Sequence, residues 1–240
     1  MRLRAAGIHL CLSGIAFAIA LYLILVAWYP GFHFRVDGGW QGVRIMAAVD
    51  LVLGPTLTLI VFNPFKARKL IVFDLACIGI AQLAALGWGF YAIHSQHPVV
   101  VSWQGGAFHP VTAEPLKTES YDMAPLATLS DAQPPIVFVA PPANEDEEAR
   151  VALQAMMGGT AEYEDPFFFR SFIQHWPEVK AKGRSLEKQR KLRHSVTDDF
   201  EAAGGDPAAL FYDYYGRFGD CVLAFSAEGK VLGGYGCAEN

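Results

Sequence analysis

Residues 5–34 read AAGIHLCLSGIAFAIALYLILVAWYPGFHF, and no Asp, Glu, Lys or Arg interrupts them. A helix crosses the hydrocarbon core of a bilayer with about 20 apolar residues, so this stretch alone is long enough to span. Two more stretches repeat the signal: between Ile45 and Phe65 the one charge is Asp50, and between Leu70 and Ser95 it is Asp74. Arg2 and Arg4 ahead of an apolar run containing Ala16-Phe17-Ala18 also resemble the start of a cleaved signal peptide. The run continues to Tyr29, past the roughly 7 to 15 residues of a signal h-region, and two spans follow it, so the first is read as retained. The expected spans cover residues 7–29, 44–63 and 71–93, in a transmembrane domain of residues 1–95.

Orientation follows from the short loops, because Lys and Arg stay preferentially on the cytoplasmic side. Arg2 and Arg4 precede the first span, and Lys66, Arg68 and Lys69 lie between the second and third. Those ends are expected in the cytoplasm, with residues 30–42 and everything after Tyr91 outside. Tyr29-Pro30-Gly31 stops the first helix, since proline lacks the amide the next turn needs. Trp28, Tyr29, Trp40, Trp88 and Tyr91 then fall at headgroup level, where amphipathic rings concentrate. Small residues at four-residue spacing mark close helix approach in lipid. Ala81, Ala85 and Gly89 have that register on the third span, and Gly14 and Ala18 on the first. They pack a three-helix bundle or leave a face for a partner helix.

Charge separates the two parts of the chain. Up to Ile93 there are 7 Lys and Arg against 3 Asp and Glu, net +4; the remainder has 12 against 21, net −9. An acidic exported domain argues against a nucleic-acid role. From Lys180 to Arg193 a basic run stands against Glu187 alone, read as a solvated helix face or a contact for anionic headgroups.

Residues 96–240 are expected to form a small α+β domain on the periplasmic side. Val99–Trp103 and Ile136–Ala140 have the β-branched content of strands. Asn144, with Glu147 and Glu148 behind it, opens a helix ended by Gly158-Gly159. Further helices are predicted over 178–200 and 207–215, and the aromatic stretch from Pro166 to Trp176 carries no clear signal. Cys221–Ser226 and Lys230–Tyr235, around Ala227-Glu228-Gly229, read as a terminal β-hairpin. Pairing across that turn brings residue 221 opposite about 235 to 237, so Cys221 and Cys237 are expected to form a disulfide in an oxidising compartment. Cys11 and Cys77 lie in spans, where a thiol acts as a small apolar group.

Few residues point to chemistry. Asp50 and Asp74 are the ionisable carboxylates inside spans, a costly placement that suggests function by default. Opposite helix directions put them at different depths, so they are not expected to pair; each is expected to reach its interface or a basic neighbour, Arg35 for Asp50 and Lys69 for Asp74. Gly54-Pro55 interrupts the second span, where proline removes a hydrogen bond and bends the rod. Thr56 and Thr58 can satisfy freed carbonyls, and Gln82 of the third span lies at a similar depth. Asp50, Gly54, Pro55, Thr58, Asp74 and Gln82 are thus the candidate residues of a bundle seam or a partner-helix contact. His94 and His97 lack the further ligands of a metal site. No Gly-x-Ser-x-Gly, phosphate-loop or dinucleotide fingerprint occurs, so no catalytic, cofactor-binding or metal-binding residue is named.

The membrane part resembles a family of bacterial type IV pilin accessory proteins, also called fimbrial assembly accessory proteins. The resemblance is carried by Trp28-Tyr29-Pro30, Gly38-Gly39-Trp40, the string from Asp50 through Gly54-Pro55-Thr56 to Asn63-Pro64, Asp74-Leu75 and Gln82-Leu83. It covers roughly the first 95 residues, with a looser similarity around Gly158-Gly159 and Asp165-Pro166. His97-Pro98 stands where the family has Arg-Pro, so no basic residue is carried over at that exit. The resemblance implies a bacterial inner-membrane protein that binds a major or minor type IV pilin and assists pilus assembly as a chaperone, without a cofactor. A second class remains open: a membrane-anchored sensor or pilin-modifying enzyme whose exported domain binds a small ligand.

Overall fold

The computed structural model describes residues 2–118 and 126–239. Three helices long and apolar enough to span a membrane lie at the N-terminal end, and a mixed helix and sheet domain follows. The chain divides into two compact units: residues 1–28 with 38–95, and residues 29–37 with 96–240. The loop between the first two spans therefore folds with the C-terminal domain.

In the membrane unit, helix α1 (Arg2–Leu23) runs on through a wide π turn, Ile24–Trp28. After a short helix α2 (His33–Val36) in the connecting loop, the second span comprises α3 (Gly39–Ala47), a π turn (Ala48–Leu53) and α4 (Gly54–Val61). The third is one helix, α5 (Arg68–Gln96). All three are longer than expected, although the first ends at Trp28 and the second at Val61, short of residues 29 and 63; the second begins at Gly39, because Gly38 (φ 107°) turns the chain directly into the helix. The second span is the most buried of the three and the third the least.

The C-terminal domain is built on one sheet. Its strands are β1 (Val100–Gln104), β2 (Ala107–Val111), β3 (Ile136–Val139), β4 (Phe169–Ser171), β5 (Arg184–Ser185), β6 (Leu210–Tyr215), β7 (Gly219–Phe225) and β8 (Val231–Glu239). Spatial order is β4-β3-β1-β2-β6-β7-β8, with β5 paired to β6. The β1–β3 and β2–β6 pairs are parallel and the others antiparallel. Aromatic side chains fill one face: Phe108, Phe172, Trp176, Tyr212 and Phe225 form a single cluster. Phe200, Phe211 and Val196 cover the other face of β6 and β7.

Several helices flank the sheet. Short helices α6 (Ala113–Thr118) and α7 (Leu126–Leu129) precede β3. Helix α8 (Glu145–Met156) is capped by Asn144, whose side chain accepts from the Glu147 amide at 3.0 Å. The stretch predicted as one helix over 178–200 is instead α9 (Trp176–Lys182), β5, α10 (Leu186–Leu192) and α11 (His194–Ala202). Gly183 makes the first break: a Cβ there would stand 2.6 Å from the Tyr212 hydroxyl. Arg184 then pairs in strand register with Phe211 and grips Asp213 through two contacts of 2.6 and 2.7 Å.

The predicted helix over 207–215 is corrected to strand β6. Leu-Phe-Tyr-Asp-Tyr-Tyr alternates across the pleat, and burial on both faces outweighs its weak helical pattern. The terminal hairpin is present as β7–β8, and Cys221 and Cys237 form a disulfide across it. With a sequence separation of 16, the closed loop stabilises the fold by about 3 kcal/mol on the chain-entropy account.

Candidate functional site

The first and second spans pack on each other through a polar contact, His9 Nδ1 lying 2.6 Å from Thr58 Oγ1. Thr58 is 1% exposed, a position only a small hydroxyl residue fills while still satisfying its own polar atom. Three positions earlier, Pro55 has no amide to give. The π turn ahead of it widens the helix, and the Thr56 hydroxyl donates to the Val52 carbonyl at 2.6 Å. That same widened turn holds Asp50, which is 5% exposed.

The third span meets the second at two glycines. A Cβ at Gly42 would come within 2.4 Å of Ile93, and one at Gly54 within 1.8 Å of Gln82 Nε2. The π turn that ends the first span reaches α5 as well, Trp28 packing 4.4 Å from Phe90 and 4.7 Å from His94. Elsewhere the helices stand apart, and cavities open between them.

The larger cavity, about 510 Å³, has walls from α1 (Ile8, Leu12, Ala16) and α5 (Leu75, Gly79, Leu83), with His9, Asp50, Thr58 and Gln82 contributing its polar groups. The smaller, about 210 Å³, lies between the N-terminal half of the second span and α5. Asp50 and Leu86 line both. Lining residues on α5 extend from Leu75 to Ile93, about 27 Å at 1.5 Å per residue, close to the roughly 30 Å of a hydrocarbon core.

Of the sequence-derived seam, the structure brings together Asp50, Gly54, Thr58 and Gln82, with Pro55 shaping the turn that presents Asp50. Asp50 is at the midpoint of the second span, deeper than its sequence neighbours suggest, because the helix starts at Gly39. Asp74 stands outside the group: Lys66 Nζ binds its carboxylate at 2.7 Å near the N-terminal end of α5, in place of the expected Lys69. Gly79, Ala85 and Gly89 face the cavities, and a Cβ at Gly79 or Gly89 would meet nothing within 4 Å. His94 packs against Trp28 and His97 against Tyr29; no group of three metal-ligating side chains occurs among the described residues.

Sequence reasoning missed His9, although a lone imidazole in an apolar span is itself a signal. It also missed a buried cluster in the second unit. His33 Nδ1 lies 2.6 Å from Asp37 Oδ2, and the Tyr214 hydroxyl donates to the same oxygen at 2.7 Å. All three are 4% exposed or less. Burial, reinforced by the Asp37 charge and hydrogen bond, holds the Tyr214 phenol far above its ordinary range, so it stays a donor. Burial raises Tyr29 too, with a smaller contribution from Asp37. Sealed in this way, the cluster serves to clasp α2 to β6.

A polytopic membrane protein with cavities between its spanning helices and a sheet domain after them is the class these features define. Its relatives are informative. The chain is 33% identical over 101 residues to the fimbrial assembly protein of serogroups C1 and C2 of Dichelobacter nodosus, covering 42% of this chain and 77% of that protein. It is 33% and 32% identical, over the same length, to those of serogroups I and E1, covering 39% of each. The chain belongs to this type IV fimbrial assembly family. No family model and no solved structure matches it.

Proposed function

We propose that the protein is an accessory factor of type IV pilus assembly that holds a pilin subunit in the bacterial inner membrane by its apolar helix. The groove along α5 carries this reading: it is apolar over most of its wall, membrane-deep and as long as one spanning helix. Helix-in-groove recognition needs those properties. The basic residues before the first span and between the second and third support an N-terminus in the cytoplasm and a C-terminal domain in the periplasm, where it meets the folded head of the same subunit. The relatives' designation as fimbrial assembly proteins supports a pilus component as the occupant.

Filling the groove tests it. A Cβ at Gly79 enters open cavity space, so Gly79→Phe directs a ring into the groove. Affinity-tagged protein from native membranes should capture pilin, and Gly79→Phe should reduce capture about tenfold, the equivalent of one to two kcal/mol of interhelical packing. Gly14→Phe, on α1 but off the cavity wall, should leave capture intact. Undiminished capture and piliation with Gly79→Phe, and likewise after deletion of residues 96–240, would show that neither part holds pilin.

A further inference from the structure

Two polar side chains at the groove lack what they require. Gln82 Nε2 is fully buried and has no hydrogen-bond partner among the described residues. Asp50, nine-tenths buried and on the wall of both cavities, makes no hydrogen bond or ion pair among the described residues either. The bundle has little to offer it. Lys and Arg are absent from residues 5–34, 45–65 and 70–95. Arg44 lies over the Trp40 ring at the outer end, and Lys66 is engaged by Asp74 at the inner end. His9 lines the same cavity as Asp50, and its Nδ1 is taken by Thr58. An unpaired carboxylate and an unpaired amide N–H at mid-membrane are each unfavourable, and both border the space an occupant would fill.

The geometry points to an occupant of defined chemistry: a membrane-spanning helix of a second protein that is polar at its centre, presenting a hydrogen-bond donor to Asp50 and an acceptor to Gln82. This rests on the reading of the groove as a helix site and adds what selects the helix. Apolar packing barely distinguishes a helix from lipid, because acyl chains satisfy a Leu surface equally well. A donor at the depth of Asp50 does distinguish them, since lipid tails supply none. Charge complementarity sets the sign: the groove's own ionisable carboxylate favours an ammonium, a guanidinium or an amide NH2 over a second acid. Register follows as well, because Asp50 is at the midpoint of its span and the donor must sit at the middle of the occupant.

The test uses the full-length protein in phospholipid nanodiscs and synthetic helices of about 23 Leu and Ala residues with Lys, Asn or Leu at the central position. A fourth carries Lys about six residues off centre. Binding is read by fluorescence transfer from labelled peptide. The central Lys and Asn helices should bind about tenfold more tightly than the Leu helix, in line with one interhelical polar contact, and the displaced Lys should lose the advantage. Asp50→Asn should abolish the preference for Lys and keep that for Asn; Asp50→Leu with Gln82→Leu should abolish both. Equal binding of all four helices, no binding of any, or a Lys preference that survives Asp50→Leu overturns the proposal. So does a groove occupied by a second copy, seen as crosslinked dimers that exclude every peptide. Selective peptide binding in a protein that captures no pilin would leave this inference standing and remove the pilin reading.

Discussion

The two units bury polar groups in opposite ways. In the C-terminal domain a buried charge brings its partners with it: Asp165, fully buried, accepts from Arg150 at 3.0 Å and from the Phe167 amide at 2.9 Å. At the partly exposed Asp213, too, Arg184 grips both carboxylate oxygens. Asp37 leaves one oxygen without a partner, yet its other takes both His33 and Tyr214. In the membrane unit, Asp50 and the Gln82 Nε2 line a cavity and have no hydrogen-bond partner among the described residues. Unsatisfied groups persist where they are least tolerable only if the free chain is not the final state. The domain also buries the Trp103 Nε1 without a hydrogen-bond partner among the described residues, so the contrast lies in where such groups stand: in the bundle they line a cavity.

Substitution at Asp50 breaks or sharpens that contrast most strongly. A centrally placed Asp raises the insertion free energy of a helix by about 2.5 to 3.5 kcal/mol, so Asp50→Leu should raise the Tm of the purified protein in detergent. A fall in Tm would mean that Asp50 is structural and that the two units do not differ.

In the domain the sign should reverse. Tyr214→Phe removes a buried donor from the Asp37 carboxylate and should destabilise the domain by about 1.5 to 3 kcal/mol, the range for a hydrogen bond to a charged group. Chemical denaturation followed through Trp103 and Trp176 reads it. Insertion of the three spans should be unaffected; an unchanged midpoint would make the clasp irrelevant.

The smallest effect concerns His109, whose ring stacks 4.5 Å from Tyr163 and 5.7 Å from Tyr215. Burial draws its pKa below the ordinary imidazole value. Folding then favours the neutral ring, so its contribution is fully present above about pH 6.5 and is lost as pH falls through the lowered value. Wild type should lose stability on acidification more steeply than His109→Gln, and parallel pH profiles would remove this residue from the account.

Much of the molecule is legible in the chain because the governing forces are local or compositional. Lipid requires about 20 apolar residues in a row whatever lies around them, so three spans are evident from residues 5–34, 45–65 and 70–95 alone. Asn144 announces its helix by a bond three residues away, and Ala227-Glu228-Gly229 announces a hairpin whose closure sets Cys221 against Cys237. The polar seam around Gly54, Pro55, Thr58 and Gln82 is visible as an irregularity in otherwise apolar helices.

What the tertiary structure alone decides depends on partners remote in sequence. Residues 210–215 become a strand because two aromatic clusters close over both faces, and the helix predicted over 178–200 breaks because Tyr212 occupies the space of a side chain at 183. Tyr214 finds Asp37 across 177 positions and His9 finds Thr58 across 49, distances over which no periodicity or cap carries information. The sequence determined that Asp50 lies in a membrane span; only packing decided that it sits at mid-depth on the wall of a cavity, with no hydrogen-bond partner among the described residues, because a cavity is a property of how helices meet and not of any one of them.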